Sequence, residues 1–190
     1  SPILMGELGL TSYGTAAIYD LIDSRRMMPT ANFRQTHFAA AASMNACSMH
    51  QAYRPTAGGC SGCAIRCRYV AADGRPMPEF ETMSHFSALL ENDDLETVMC
   101  ANEICNQMGM DTISAGGTLA CHAELAGRRL SSEEILSLLT DIGRGRGVGV
   151  DLGQGSAAYA AMQGEPHAAV SVKGLELPAY DPRGACGMAL

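Results

Sequence analysis

From Leu95 onward apolar residues return every three or four positions. Leu95, Val98, Met99, Cys105 and Met108 fall along one side of a 3.6-residue helix. Asp93 and Glu96 have capping-box spacing at its start, and Gly109 supplies a natural stop. Asp111 or Thr112 then caps a helix running to about Ala126, with Gly127 as its end. Ser131 and Glu134 form a further capping box ahead of ILSLLTDI, which Gly143 closes, and SAAYAAM predicts a last short helix. Upstream, Ala16, Tyr19, Ile22 and Met27 mark an amphipathic helix over 12–28, followed by Pro29 and an irregular PTANFR link. Residues 36–52 are alanine-rich and predict another helix. The apolar run Tyr69–Ala72 precedes a D-G turn signal, so a small hairpin is expected, its second arm kept short by Pro76 and Pro78. From HAAVSVKGLELPAYDPRG onward the chain reads as extended and looped. Six or seven helices with little strand predict an all-α fold, a multihelical orthogonal bundle with minor short β pieces. No regular repeat or low-complexity linker divides residues 1–190, which read as a single domain.

The chain has 190 residues, 47% of them hydrophobic, enough for a sizeable core built from Ala, Leu and Met, with no Trp. A formal net charge of −7 carries no nucleic-acid footprint. The stretch HFAAAASMNACSMH is short and interrupted by Ser, Asn and His, far from the roughly 20 apolar residues of a membrane span. SPILMGELGL has neither a basic n-region nor a signal-like apolar core, and reads as a chain entered in its middle. Eight cysteines are an even number, but the length, the helix formers and the absence of a secretory signal point to reduced thiols in the cytoplasm.

Three of those cysteines stand together in GGCSGCAIRCR. Cys60, Cys63 and Cys67 are spaced C-x2-C-x3-C, with Gly58, Gly59 and Gly62 among them. Iron and zinc bind thiolates strongly, and a tight loop can make the ligands converge. The glycines let the backbone wrap an inorganic centre and free its amides to bond to sulfur, while Arg66 adds positive charge beside an anionic group. A [4Fe–4S] cluster fits this pattern best. A zinc site would want a second pair of ligands, for which only His50 offers itself, and three unrelated buried thiols are the plainest alternative. None of Cys47, Cys100, Cys105, Cys121 and Cys186 has the neighbours of a ligand loop, and single helical cysteines are usually core residues. The fourth ligand therefore need not lie in this chain. The stretch GRGRGVGVDLGQG lacks G-x-G-x-x-G and a Walker lysine, and reads as a connecting bend.

GGCSGCAIRC, PEFET (78–82), NQMGMDTISAGG (106–117) and VKGLELPAYDPRG with CGMAL (172–190) occur in this order, with ELGLTSYGTAAIYD and PTANF ahead of them. Together they resemble the tungsten-containing aldehyde:ferredoxin oxidoreductases over essentially the whole chain. The resemblance implies the middle, second domain of a larger enzyme, whose N-terminal pterin-binding and C-terminal domains lie outside this sequence. It implies that Cys60, Cys63 and Cys67 are three ligands of a [4Fe–4S] cluster, the fourth coming from the C-terminal domain. It implies that Asn106, Gly109 and Asp111 belong to a pterin-binding D-x-x-G-L-D motif for tungstopterin, with Asn106 where the family usually has Asp. An amide keeps one acceptor oxygen there but loses the charge. Glu81 matches a glutamate near the metal and would be a proton-shuttling catalytic residue; His85, one turn on, could face the same cavity. Some relatives carry an E-x-x-H iron site where this chain reads CANE (100–103), so no such iron is expected. Aldehyde oxidation with ferredoxin as electron acceptor is the implied activity of the intact enzyme, with the isolated fragment inactive. The partners implied are the remaining domains, ferredoxin and a small aldehyde, with room for a homodimer. A non-enzymatic zinc-stabilised helical module or a cofactor-less scaffold is the rival reading. Asp181 and Arg183 are expected to pair with each other or cap a turn.

Overall fold

A computed structural model describes residues 9–63, 65–185 and 187. The fold is the expected multihelical bundle. In chain order its α-helices are α1 (Leu10–Tyr13), α2 (Tyr19–Ser24), α3 (Ala41–Met44), α4 (Ala46–Tyr53), α5 (Phe80–Phe86), α6 (Leu95–Met108), α7 (Thr112–Leu125), α8 (Ser132–Arg144), α9 (Gly149–Leu152) and α10 (Ser156–Met162). Two antiparallel strand pairs accompany them: β1 (Thr56–Ala57) with β2 (Tyr69–Val70), and β3 (Ser171–Val172) with β4 (Leu175–Glu176).

The longer helices follow their sequence signals closely. The Asp111 carboxylate accepts the Ser114 N–H at the start of α7, and Ser131 and Glu134 make a complete capping box on α8. Four boundaries differ. Asp94, not Asp93, caps α6, its carboxylate accepting the Glu96 and Thr97 N–H groups. Gly143 lies inside α8 against Met108, and the helix ends instead at Gly145, where φ is +59°. The helix expected over 12–28 breaks at Gly14 (φ +62°) into α1, a 3-10 turn (Gly14–Ile18) and α2. The 36–52 segment likewise divides at Asn45, whose extended backbone and side-chain bond to Ser48 N–H start α4 afresh.

The core is contiguous. Phe80, Met83 and Phe86 of α5 pack with Leu89, with Val98 and Met99 of α6, with Leu119 of α7 and with Ile135 and Leu139 of α8. The central helix α7 reaches close packing through glycine: a Cβ at Gly116 would lie 2.6 Å from the His85 Cβ, and one at Gly117 2.9 Å from Glu176 Cγ. Such contacts bring the C-terminal strap, residues 176–185, against α5 and α7. The strap's far end is pinned where Asp181 N–H donates to the Met27 carbonyl (2.8 Å) and Tyr180 packs on Phe80. Asp181, fully buried, accepts from Arg183 Nε (2.9 Å) and Nη2 (2.5 Å), and Nη2 also donates to the Phe33 carbonyl.

Candidate metal centre and active-site cleft

The cysteine loop is closed at its base by the β1–β2 pair, in register Thr56↔Val70 and Ala57↔Tyr69, and by the Gly58 N–H donating to the Arg68 carbonyl. The arms cross so closely at Gly59 (φ +110°) that a Cβ would lie 2.9 Å from the Arg66 Cα. On its inner side the loop leans on Gly14, where a Cβ would meet the Cys67 carbonyl oxygen at 2.3 Å. Within it, the Cys63 N–H donates to the Cys60 carbonyl. The Arg66 guanidinium does not extend over the loop; it turns back to donate to the Gly58 and Ala57 carbonyls, which closes the base further.

All three thiols are free, as are Cys47, Cys100, Cys105 and Cys121. Cys60 is exposed; Cys63 and Cys67 are half-buried. The backbone N–H groups of Arg66 and Ile65 point at the Cys63 sulfur and lower its thiol pKa. A glycine-built loop that aims amides at a thiolate suits an iron–sulfur group, whose sulfurs take such bonds. Among the described residues no three His, Cys, Asp or Glu side chains converge as a single metal ion requires. A zinc ion draws its donors to about 2.0–2.3 Å of one point, whereas a four-iron cluster spreads its thiolates around a larger body. His50, the candidate zinc partner, is instead held between the Tyr13 and Tyr69 rings, at centroid distances of 4.7 and 5.0 Å, and burial lowers its pKa. Cys105 and Cys121 are buried in the core, with burial raising their thiols to about 12 and about 11. Cys100 donates to Glu96, and Cys186 lies outside the described residues.

Beside the loop opens a cleft of about 520 Å³, within the size range of small-molecule sites. Its wall begins at Arg68, next to Cys67, and includes Glu79, Glu81, Asn102, Asn106, Asp111 and Thr112. Three separate sequence expectations, Glu81, Asn106 and Asp111, thus share one cavity. Gly109 is not on the wall; in the left-handed conformation (φ +68°) it turns the chain between α6 and α7 and so sets Asn106 and Asp111 on the same side. Arg68 and Asn102 were not singled out from sequence, although Asn102 precedes Asn106 by one helical turn and therefore shares its face. The Asn102 amide donates to the Pro76 carbonyl (2.9 Å), and the Thr82 and Thr112 hydroxyls meet at 2.9 Å, tying α5 to α7 beneath the cleft.

Glu81 lies mostly buried in the first turn of α5. Burial raises its carboxyl pKa; the Ala179 N–H, donated to Oε2 at 2.6 Å, opposes this, and the Asp111 charge adds to it. His85 does not reach the cleft. Its ring is completely buried behind Glu81, Nδ1 at 2.8 Å from the Glu81 carbonyl oxygen and Nε2 at 3.2 Å from that of Leu177. The cleft thus offers carboxylates and amides as acceptors, a guanidinium at one end and a carboxyl of raised proton affinity. Such a row of acceptors is the complement of a flat ring edge that presents N–H groups.

Among the described residues no helix is long and apolar enough to cross a membrane. The family model for aldehyde ferredoxin oxidoreductase, domains 2 and 3, matches residues 1–190. Tungsten-containing aldehyde ferredoxin oxidoreductases from Thermococcus kodakarensis and Pyrococcus furiosus are 35% and 33% identical to this chain over 96% of its length. The chain spans about a third of the length of these curated relatives. It belongs to the aldehyde ferredoxin oxidoreductase family.

Proposed function

We propose that these residues form the second domain of an enzyme that oxidises aldehydes to carboxylic acids, with ferredoxin as electron acceptor. The observation that carries this reading is the meeting of Glu81, Asn106 and Asp111 in one cleft whose wall continues through Arg68 to the cysteine loop. Cys60, Cys63 and Cys67 supply three thiolates to a [4Fe–4S] cluster, and the fourth ligand comes from outside these residues. Asp111 and Asn106 hold the pterin edge of tungstopterin, Asp111 with charge and Asn106 through its amide. When bound, the tungstopterin and the cluster supply the two-electron chemistry and its relay.

Aldehyde plus water gives carboxylic acid, two protons and two electrons, so a group in the cleft must accept protons. Glu81 is suited to this. Its Oε2 is occupied by the Ala179 N–H, which leaves Oε1 to take a proton, and its raised pKa lets a carboxyl hold one nearer neutrality. The half-buried walls, Met77 and Met110 among them, reduce competing access of water.

Anaerobic iron–sulfide reconstitution of the full-length protein tests the assignment. Broad visible absorption and an EPR signal on reduction are expected, and Cys63→Ser should abolish both. One bound zinc with no response to iron would refute it. Glu81→Gln should depress aldehyde oxidation while metal and pterin content stay unchanged.

A further inference from the structure

We infer that His85 is a positioning residue that sets the proton affinity of Glu81 by holding the 176–179 strap against α5. The ring sits one turn after Glu81, and its Nε2 is 3.2 Å from the Leu177 carbonyl oxygen. Two residues further along the strap, the Ala179 N–H donates to the Glu81 carboxylate at 2.6 Å. Pro178 lies between them with its φ fixed, so Leu177 and Ala179 move together. A closed circuit results, from the α5 backbone through the imidazole to the strap, and from the strap back to the side chain of the residue where it began.

The ring is fully buried, with no solvent side to turn to. Gly116 of α7 approaches so closely that a Cβ there would lie 2.6 Å from the His85 Cβ. The strap is anchored just upstream, where Glu176 Oε1 accepts the Ser156 N–H and hydroxyl, each at 2.8 Å. Downstream it is held by Asp181 and Tyr180. His85 therefore fixes the height of the span that carries the Ala179 donor.

A neutral imidazole has one N–H, and both its nitrogens face carbonyl oxygens. The Glu81 carbonyl lies in the α5 ladder, where regular helix geometry gives it the His85 backbone N–H. Among the described residues the ring is the hydrogen-bonding partner of the Leu177 carbonyl. Placing the proton on Nε2 satisfies the oxygen that would otherwise lose its partner, at the cost of turning the Nδ1 lone pair to the Glu81 carbonyl oxygen at 2.8 Å. Burial, the largest effect, opposes a second proton on the ring; the Glu81 and Leu177 carbonyls, and after them the charges of Asp111 and Glu176, favour one. Around Glu81 itself stand His85, whose Nδ1 lies 3.9 Å from Oε2, Asp111 at the cap of α7 and Tyr180 from the strap, with Arg68 and Glu79 on the same cleft wall.

The consequence has a definite sign. A hydrogen bond donated to the carboxylate favours its ionised form, so losing the Ala179 N–H raises the Glu81 pKa. In the full-length protein, infrared difference spectra of wild type against Glu81→Gln isolate the Glu81 carboxyl band, and its pH titration gives the midpoint. Two amide variants separate the two ring nitrogens. His85→Gln places an NH₂ near the Nε2 position and keeps the strap; His85→Asn places one near Nδ1, 3.9 Å from Glu81 Oε2, and releases the strap, and because a donor there would lower the Glu81 pKa, a rise isolates the loss of the strap. The midpoint should stay within a few tenths of a pH unit in His85→Gln and rise by about one unit, a tenfold change in proton affinity, in His85→Asn.

Equal midpoints in both variants and the wild type would overturn the inference, as would an equal rise in both. If His85→Asn fails to fold, Pro178→Gly uncouples Leu177 from Ala179 instead. The same upward shift there supports the circuit, and no shift overturns it. The catalytic meaning of the circuit rests on the role given to Glu81 above. The titration itself does not, because the band reports the carboxyl whether or not aldehyde is turned over.

Discussion

Gly14→Ala should damage the proposed cluster site from a position outside the cysteine loop. Gly14 has φ +62°, and a Cβ on it would lie 2.3 Å from the Cys67 carbonyl oxygen and 3.5 Å from Tyr69 Cδ2. A carbon and a carbonyl oxygen ordinarily approach no closer than about 3.3 Å, so one backbone must retreat by about 1 Å. Both partners are main chain, and no side-chain rotation relieves the contact. Left-handed backbone costs an alanine about 1–2 kcal/mol, and overpacking adds about 1–3 kcal/mol. The sum, about 2–5 kcal/mol, is a large share of a total stability of roughly 5–15 kcal/mol. At roughly 2–4 °C per kcal/mol for a chain of this size, the melting temperature should fall by at least about 4 °C. Gly62→Ala is the control: φ is +74°, but nothing lies within 4 Å of its Cβ position, so only the backbone penalty applies. Urea unfolding midpoints and iron content after anaerobic reconstitution measure both variants. Gly14→Ala should lose clearly more stability and, because the recoil moves Cys67, more iron. Equal losses in the two would refute the claim that Gly14 props the loop.

In cluster-free protein, iodoacetamide near neutral pH should label Cys63 well before Cys105 and Cys121, whose thiols are raised to about 12 and about 11 by burial; peptide mass spectrometry gives the order. Glu134, accepting from Arg128 and from the Ser131 N–H, has its carboxyl pKa pulled down to about 2. A depressed folded-state pKa gives stability that is present above about pH 4.5 and lost as pH falls toward 2, so Glu134→Gln should flatten that acid limb in thermal melts. Asp111→Asn keeps an acceptor for the Ser114 N–H and should leave the melting temperature nearly unchanged while lowering pterin retention. Asp111→Ala should lose both, with about 1 kcal/mol of stability gone with the cap.

What the sequence made legible was what local chemistry decides. Ser131 and Glu134 announce α8 because each side chain satisfies the other's backbone, and Asp111 announces α7 by accepting the Ser114 N–H. Gly109 marked the bend that sets Asn106 and Asp111 on one cleft. Where a boundary depends on a distant partner, the local signal misled. Gly14 interrupts an apparently continuous amphipathic stretch because Cys67, more than fifty residues away, needs the space. Gly143, a reasonable stop by itself, stays helical because Met108 packs on it, and the left-handed turn falls to Gly145. The β1–β2 clasp that closes the cysteine loop is only two residues long on each side, too short to show an alternating pattern. His85 illustrates the limit at the site. Spacing put it beside Glu81, but only the packing of Gly116 and the strap reveals that it faces inward to two carbonyl oxygens.

The proposed function rests on the cysteine loop being an iron–sulfur ligand set beside the Glu81 cleft. Crystals of the anaerobically purified full-length protein, measured on both sides of the iron absorption edge, test this most directly. The account predicts a compact group of iron peaks bounded by the Cys60, Cys63 and Cys67 sulfurs, with further density in the cleft against Asp111. An ordered loop with no iron at those sulfurs, or a lone zinc bound there, would contradict it.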